Sequence, residues 1–222
     1  MTDRWATFDC YGTLVDWLGG MRGTFARLWP DADADSLLDL YGQLEPAVQA
    51  GRGLAYREVM AETLATTAAM ARLEVPPGEE DALGASLPGW AIFPEVPWAL
   101  AGLRRRGWKL AILSNTDPDL LDASLLAIGV PVDLRIAASE IGSYKPAVRH
   151  WEAFFAQTGA DRRRHVHVAA SLFHDIEPGE RLGLRCVWIN RLAERSQLPR
   201  HAELSDLAAL PETLEALVPA QG

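Results

Sequence analysis

The sequence predicts an α/β protein, a parallel sheet whose first strand is parted from the others by an inserted block of helices. A short apolar run, Trp5-Ala6-Thr7-Phe8, is followed at once by a tight turn holding Gly12 and Thr13. The stretch 17–86 then reads as helices, with no strand-like alternation. From Phe93 onward, helical segments alternate with β-branched runs, the pattern of a parallel sheet covered on both faces.

Taken in order, residues 5–8 form the first strand and residues 17–28 the first helix. Residues 35–48 form a second helix, with Asp35 or Ser36 as its cap. Residues 54–73, rich in Ala, Met and Leu, form a third, ended by Val75-Pro76-Pro77-Gly78. A short fourth helix over 79–86 is closed by Pro88-Gly89. The alternating part follows: helix 96–106, strand 108–113, helix 118–128, strand 134–137, helix 147–158 and strand 165–169. A helix near 177–182, a strand at 185–189 and one or two short helices within 205–217 complete the chain. There is no repeat and no low-complexity segment.

With 222 residues, 49% of them apolar, the chain can bury a substantial core. A net charge of −9 argues against a nucleic-acid partner, since phosphate binding needs an electropositive surface. Arg104-Arg105-Arg106 and Arg162-Arg163-Arg164 read as solvated helix ends or turns. Cys10 and Cys186 both fall in or beside buried strands, which suits a reduced, intracellular protein. No signal-like opening and no bilayer-length apolar run is present, so the expectation is a soluble cytoplasmic protein with no membrane partner.

Asp9 stands at the carboxyl end of the first strand, where open α/β sheets bind their ligands. A carboxylate there can act as a nucleophile and form a covalent ester. Three further segments complete a set: Leu110-Ala111-Ile112-Leu113-Ser114-Asn115, then Gly142-Ser143-Tyr144-Lys145-Pro146, then the strand and acidic turn from His167 to Asp175. With Phe8-Asp9-Cys10-Tyr11-Gly12-Thr13, these resemble, in order, the four motifs of the haloacid dehalogenase superfamily. The resemblance covers nearly the whole chain and lies nearest the type II 2-haloacid dehalogenases, whose first motif also carries this tyrosine. It implies a Rossmann-like core of residues 1–15 and 91–222 and a helical cap of residues 16–90, crossing at Asp16-Trp17 and Gly89-Trp90. It also implies catalytic roles for Asp9, Thr13, Lys145, Ser171 and Asp175, and substrate contacts from Tyr11, Ser114, Asn115 and Trp151; His174, beside Asp175, is a further catalytic candidate on its own chemistry.

The residue two places after Asp9 narrows the chemistry. Phosphatases of the superfamily use an acid there to protonate a departing alkoxide, with Mg²⁺ on the phosphoryl oxygens. A phenol such as Tyr11 shuttles protons poorly near pH 7. Halide leaves without a proton, so displacement at the carbon beside a carboxylate needs neither metal nor cofactor. Lys145 is one of two lysines among 21 cationic residues, and its compact charge would hold Asp9 ionised. Ser114 and Asn115, with amides of the next helix start, could bind a substrate carboxylate or simply cap that helix. His174 could activate water for ester hydrolysis or only satisfy a neighbouring group.

Departures from the family pattern fall where substrate is read. Leu40 stands where these dehalogenases place the arginine that holds halide, and Trp151 stands where a tyrosine is expected. Ala170 and Leu172 replace a serine and an asparagine. Arg22, Arg52 or Arg57 could supply the missing cation, and Trp17 and Trp90 could wall the pocket or pack the hinge. The expected activity is hydrolysis of short 2-haloalkanoic acids to 2-hydroxy acids through an ester on Asp9, acting on a small-molecule carboxylate. The same covalent mechanism at a C–N bond or strained ring stays open. So do a Mg²⁺-dependent phosphatase with Asp175 as one ligand, and a binding protein with a relic site. The apolar length of residues 54–73 permits a homodimer face and equally a core face.

Overall fold

Residues 3–50 and 53–220 are described by a computed structural model. Strand β1 (Arg4–Phe8) is buried throughout and ends in a turn that leads into four helices. These are α1 (Trp17–Leu28), α2 (Ala34–Gln49), α3 (Tyr56–Met70) and α4 (Ala82–Ser86), followed by a 3₁₀ turn at Leu87–Gly89. The outgoing and returning crossings pair with each other. Val15 bridges Ile92 in antiparallel fashion, and the Asp16 N–H donates to the Ala91 carbonyl at 2.8 Å.

The remainder alternates as expected: α5 (Val96–Arg105), β2 (Trp108–Ser114), α6 (Pro118–Ile128), β3 (Leu134–Ala137), α7 (Ala138–Ile141), α8 (Arg149–Thr158), β4 (His165–Ala169), α9 (Glu177–Arg181), β5 (Arg185–Ile189), β6 (Ala202–Leu204) and α10 (Leu210–Leu217). The strands form one parallel sheet in the order β3-β2-β1-β4-β5-β6. Alternate residues serve its two faces, as the pleat requires. Phe8, Ile112, Val168 and Val187 pack with Leu100 of α5 and Leu214 of α10. Trp5, Leu113, Ala169 and Trp188 pack on the other face with Trp151 and Phe154 of α8.

Several element ends differ from the sequence expectation for local reasons. Helix α2 starts one residue earlier than expected, because the Asp33 carboxylate accepts the Asp35 N–H and the Ser36 hydroxyl, so Asp33 is the cap. Helix α3 stops at Met70, where Arg72 takes a left-handed φ of 58° and the Leu73 N–H returns to the Ala68 carbonyl. The edge strand β6 and the one-turn α7 are too short to leave a periodic signal. One face of α3, including Tyr56, Met60, Leu64 and Ala68, is buried within the chain itself. Among the described residues, no helix is long and apolar enough to cross a membrane.

The inserted helices are fastened over the carboxyl ends of the strands. The buried Asp117 carboxylate, at the start of α6, accepts the N–H groups of Tyr56 (2.8 Å) and Arg57 (2.9 Å) and so caps α3 from across the chain. Arg57 pairs with Asp119 at 2.8 Å, and the Tyr144 hydroxyl donates to the Leu54 carbonyl at 2.9 Å. Replacing Asp117 by Ala removes both acceptors. The expected cost is about 1–2 kcal/mol, measured by urea unfolding.

Candidate active site

The turn after β1 holds Asp9 at the sheet edge, and Gly12 makes it possible with a φ of 87° that a side chain would resist. The Thr13 hydroxyl donates to Asp9 Oδ2 at 2.7 Å and accepts the Ala170 N–H at 2.9 Å, tying the end of β1 to that of β4. Lys145 supplies the other contact. Its ammonium donates to Asp9 Oδ1 (2.8 Å), Asp175 Oδ1 (2.7 Å) and the Leu113 carbonyl (2.9 Å). All three protons are therefore committed within the protein. A planar guanidinium fork would not meet three acceptors arranged around one point. Burial would depress the Lys145 pKa, but the charges of Asp175 and Asp9 overcome this and raise it.

Asn115 fixes the lysine's backbone from both sides. Its Oδ1 accepts the Lys145 N–H (2.7 Å), and its Nδ2 donates to the Lys145 carbonyl (2.9 Å). Asp175 sits in a wide helical turn, Leu172–Ile176, opened by Ser171. Its Oδ1 also lies 3.0 Å from His167 Nε2. Behind that ring, the Thr7 hydroxyl lies 2.8 Å from both His167 Nδ1 and His165 Nε2. Burial would raise the Asp175 carboxyl, yet the Lys145 charge and the His167 hydrogen bond hold it well below the usual range. Asp175 Oδ2 is buried without a hydrogen-bonding partner in the protein.

Above this network lies a cavity of about 210 Å³. Asp9, Tyr11, Ser114, Asn115, Lys145, Ser171, His174 and Asp175 line it from the sheet edge, and Trp17, Glu45, Gln49 and Tyr56 from the inserted helices. Thr13 stands behind Asp9. His174 Nδ1 is 3.1 Å from the Ser171 hydroxyl, and burial lowers its pKa, so the imidazole is neutral at pH 7. The Tyr11 phenol lies 3.0 Å from the Ser124 hydroxyl and donates to the Leu120 carbonyl, and burial makes it an even weaker acid.

Trp151 requires correction. It is fully buried on the sheet side of α8, edge-on to the His167 ring at 5.2 Å, and does not border the cavity. It packs beneath the site and cannot contact substrate. Leu40 is half-buried away from the cavity. Arg22 pairs with Asp35 and Arg57 with Asp119, while Arg52 lies outside the described residues. Among the described residues lining the cavity, Lys145 is the one cation. Trp17 is a cavity wall, whereas Trp90 packs edge-on to Tyr11 behind it.

Sequence reasoning missed the role of Glu45. Its Oε1 accepts hydrogen bonds from the Tyr41 (3.3 Å) and Tyr56 (3.1 Å) hydroxyls, and burial pushes its pKa up to about 7. The one signal was the spacing of Tyr41 and Glu45, four apart and on one face of α2.

The family model for haloacid dehalogenase-like hydrolases matches residues 4–183. The chain belongs to that family. An (S)-2-haloacid dehalogenase of Pseudomonas sp. strain YL is 34% identical over 131 residues, which are 56% of this chain and 56% of that enzyme. The chain thus matches little more than half of that relative's length. Haloacetate dehalogenase H-2 of Moraxella sp. strain B is 29% identical over 190 residues, covering 83% of this chain and 84% of that protein. The solved L-2-haloacid dehalogenase of Xanthobacter autotrophicus, with chloropropionic acid covalently bound, shares the fold. It has a TM-score of 0.84 at 20% identity, covering 96% of this chain and 98% of that one.

The placement of Trp151 is open to a direct check. Trp151→Ala is expected to cost about 3–5 kcal/mol in unfolding free energy. Trp151→Phe, which keeps most of the packing, should leave KM for any substrate of the site unchanged.

Proposed function

We propose that this chain hydrolyses short 2-haloalkanoic acids to 2-hydroxy acids, with Asp9 as the nucleophile and an Asp9 ester as the intermediate. The observation that carries this is the state of Asp9. It borders a small cavity, with Lys145 on one oxygen and Thr13 on the other, and no acid stands at Tyr11. Each Asp9 oxygen keeps a lone pair for attack. The Ser114 hydroxyl is buried without a partner beside the cavity and is a donor for the substrate carboxylate. Asn115 contributes less than its sequence position suggests, because its amide is engaged with the Lys145 backbone and only one N–H remains.

An Asp9 oxygen attacks the carbon bearing halogen in line, halide leaves from the opposite side, and the carbon inverts. Whichever oxygen is alkylated, the other keeps its donor, Thr13 or Lys145. That donor then faces the carbonyl oxygen on which charge develops when water attacks. In the tautomer whose Nδ1–H donates to Ser171, His174 Nε2 is free to take the proton from that water. Asp175 is too weak a base for this and serves to fix Lys145. The dehalogenases among the relatives, and the covalent adduct held by the Xanthobacter enzyme, support this reading. The absence of an arginine among the described cavity residues favours a second reading, in which the same attack opens another activated carbon. Product formed without halide from a panel of such substrates would select it.

Chloro-, bromo- and fluoroacetate are expected to release halide, and Asp9→Asn to abolish it. A single turnover in heavy-oxygen water should leave label in the Asp9 carboxylate, read by peptide mass; label found only in the product would exclude the ester. His174→Gln should slow ester hydrolysis by about 10²–10⁴-fold, so that the adduct accumulates in intact-mass spectra.

A further inference from the structure

We propose that Glu45 is the proton donor to the departing group, a role that rests on the dehalogenase reading above and fits the site to fluoride in preference to bromide or iodide. In-line attack by Asp9, at the sheet edge, sends the leaving group toward the inserted helices. The cavity lining there comprises Trp17, Glu45, Gln49 and Tyr56. Lys145 has no N–H left to offer, and the Tyr11 phenol is engaged with Ser124 and Leu120. Tyr41 and Tyr56 both donate to Glu45 Oε1 and the Gln49 side chain also hydrogen-bonds the carboxyl, so Oε2, the oxygen neither phenol engages, is the one we assign the proton.

Burial places that proton in the right range, since a group with a pKa of about 7 is half protonated near neutrality. Facing it are Tyr41 from its own helix, Tyr56 from α3, and Asp9, Tyr11, Lys145, His174 and Asp175 from the sheet edge. Trp17 of α1 brings no charge. Bromide and iodide leave readily and accept hydrogen bonds poorly. Fluoride is the reverse, and gains most from a donor.

The balance is as follows. An Asp9 oxygen bonds to carbon as the carbon–fluorine bond breaks, its electron pair goes to fluorine, and fluorine takes the Glu45 proton. Hydrogen fluoride departs and Glu45 is left as a carboxylate. Water then adds to the Asp9 carbonyl carbon and the ester C–O bond breaks. The alcohol leaves with one proton of that water and the other returns to Glu45, so one fluoroacid and one water give one hydroxy acid and one hydrogen fluoride.

The test compares kcat/KM for fluoroacetate and bromoacetate in the wild-type chain and in Glu45→Gln. Fluoride release should fall by about 10²-fold or more and bromide release far less, so that the ratio of the two collapses. The bromide rate also reports that the variant is folded. Wild-type fluoride release should decline above pH 7 as Glu45 loses its proton, and Glu45→Gln should lack that decline. Equal losses for both substrates, or an unchanged ratio, would overturn the proposal. Should Glu45→Gln not fold, Tyr56→Phe removes a hydrogen bond that favours the ionised carboxyl. The wild-type decline must then move to higher pH, and a decline that stays in place also overturns it. A wild-type chain that releases neither halide overturns the dehalogenase reading itself, whereas bromide release with a Glu45-independent fluoride rate overturns this proposal alone.

Discussion

One buried ammonium organises this molecule. Lys145 joins the end of β1 through Asp9, the end of β2 through the Leu113 carbonyl, and the turn after β4 through Asp175. Two carboxylates so close in a dry interior would repel each other and be driven to neutrality without a cation between them. The lysine alone would be equally costly, because an unpaired buried charge is destabilising by several kcal/mol. Each charge is tolerable only because the others are present. Segments far apart in the chain are therefore held in register by the same contacts that hold the Asp9 carboxylate at the cavity.

The network is supported from below and enclosed from above. Beneath it, His167, Thr7 and His165 run as a hydrogen-bonded string through β4 and β1, with Trp151 packed against the His167 ring. These groups fix Asp175 from the side away from the cavity. Above it, α2 and α3 bring mostly uncharged surface, and Asp117 fastens α3 to the core by its first N–H groups. Strong charge thus lies at the sheet end, while the helices over it contribute an indole, a phenol, an amide and one weakly acidic carboxyl.

The sheet was legible because its strands are mostly apolar runs separated by helices, and five of the six were found within a residue or two. Strand β6 was not, because Ala202–Leu204 is short and half-exposed and leaves no pattern. At the site, Asp9 was readable because it ends a buried strand before a tight turn, whereas Lys145 and Asp175 were readable through the resemblance of their segments to the family's motifs. Trp151 misled because spacing from Lys145 gives a position on α8 but not which side of the helix meets the sheet. Glu45 was invisible for the opposite reason. Its surroundings are made by Tyr41 one helical turn away and by Tyr56 from a separate helix, and a linear pattern does not show their convergence.

The lysine bridging two carboxylates has a consequence for the order of events. With Asp9 and Asp175 each negative and Lys145 positive, the trio has one uncompensated anion at rest (−1 −1 +1). In the proposed reaction, alkylation of Asp9 leaves the trio itself neutral, so that the carboxylate of the attached substrate is the one net charge beside it. On that reading, hydrolysis restores the surplus beside a hydroxy acid that is itself anionic, and their mutual repulsion favours ejecting the product over holding it.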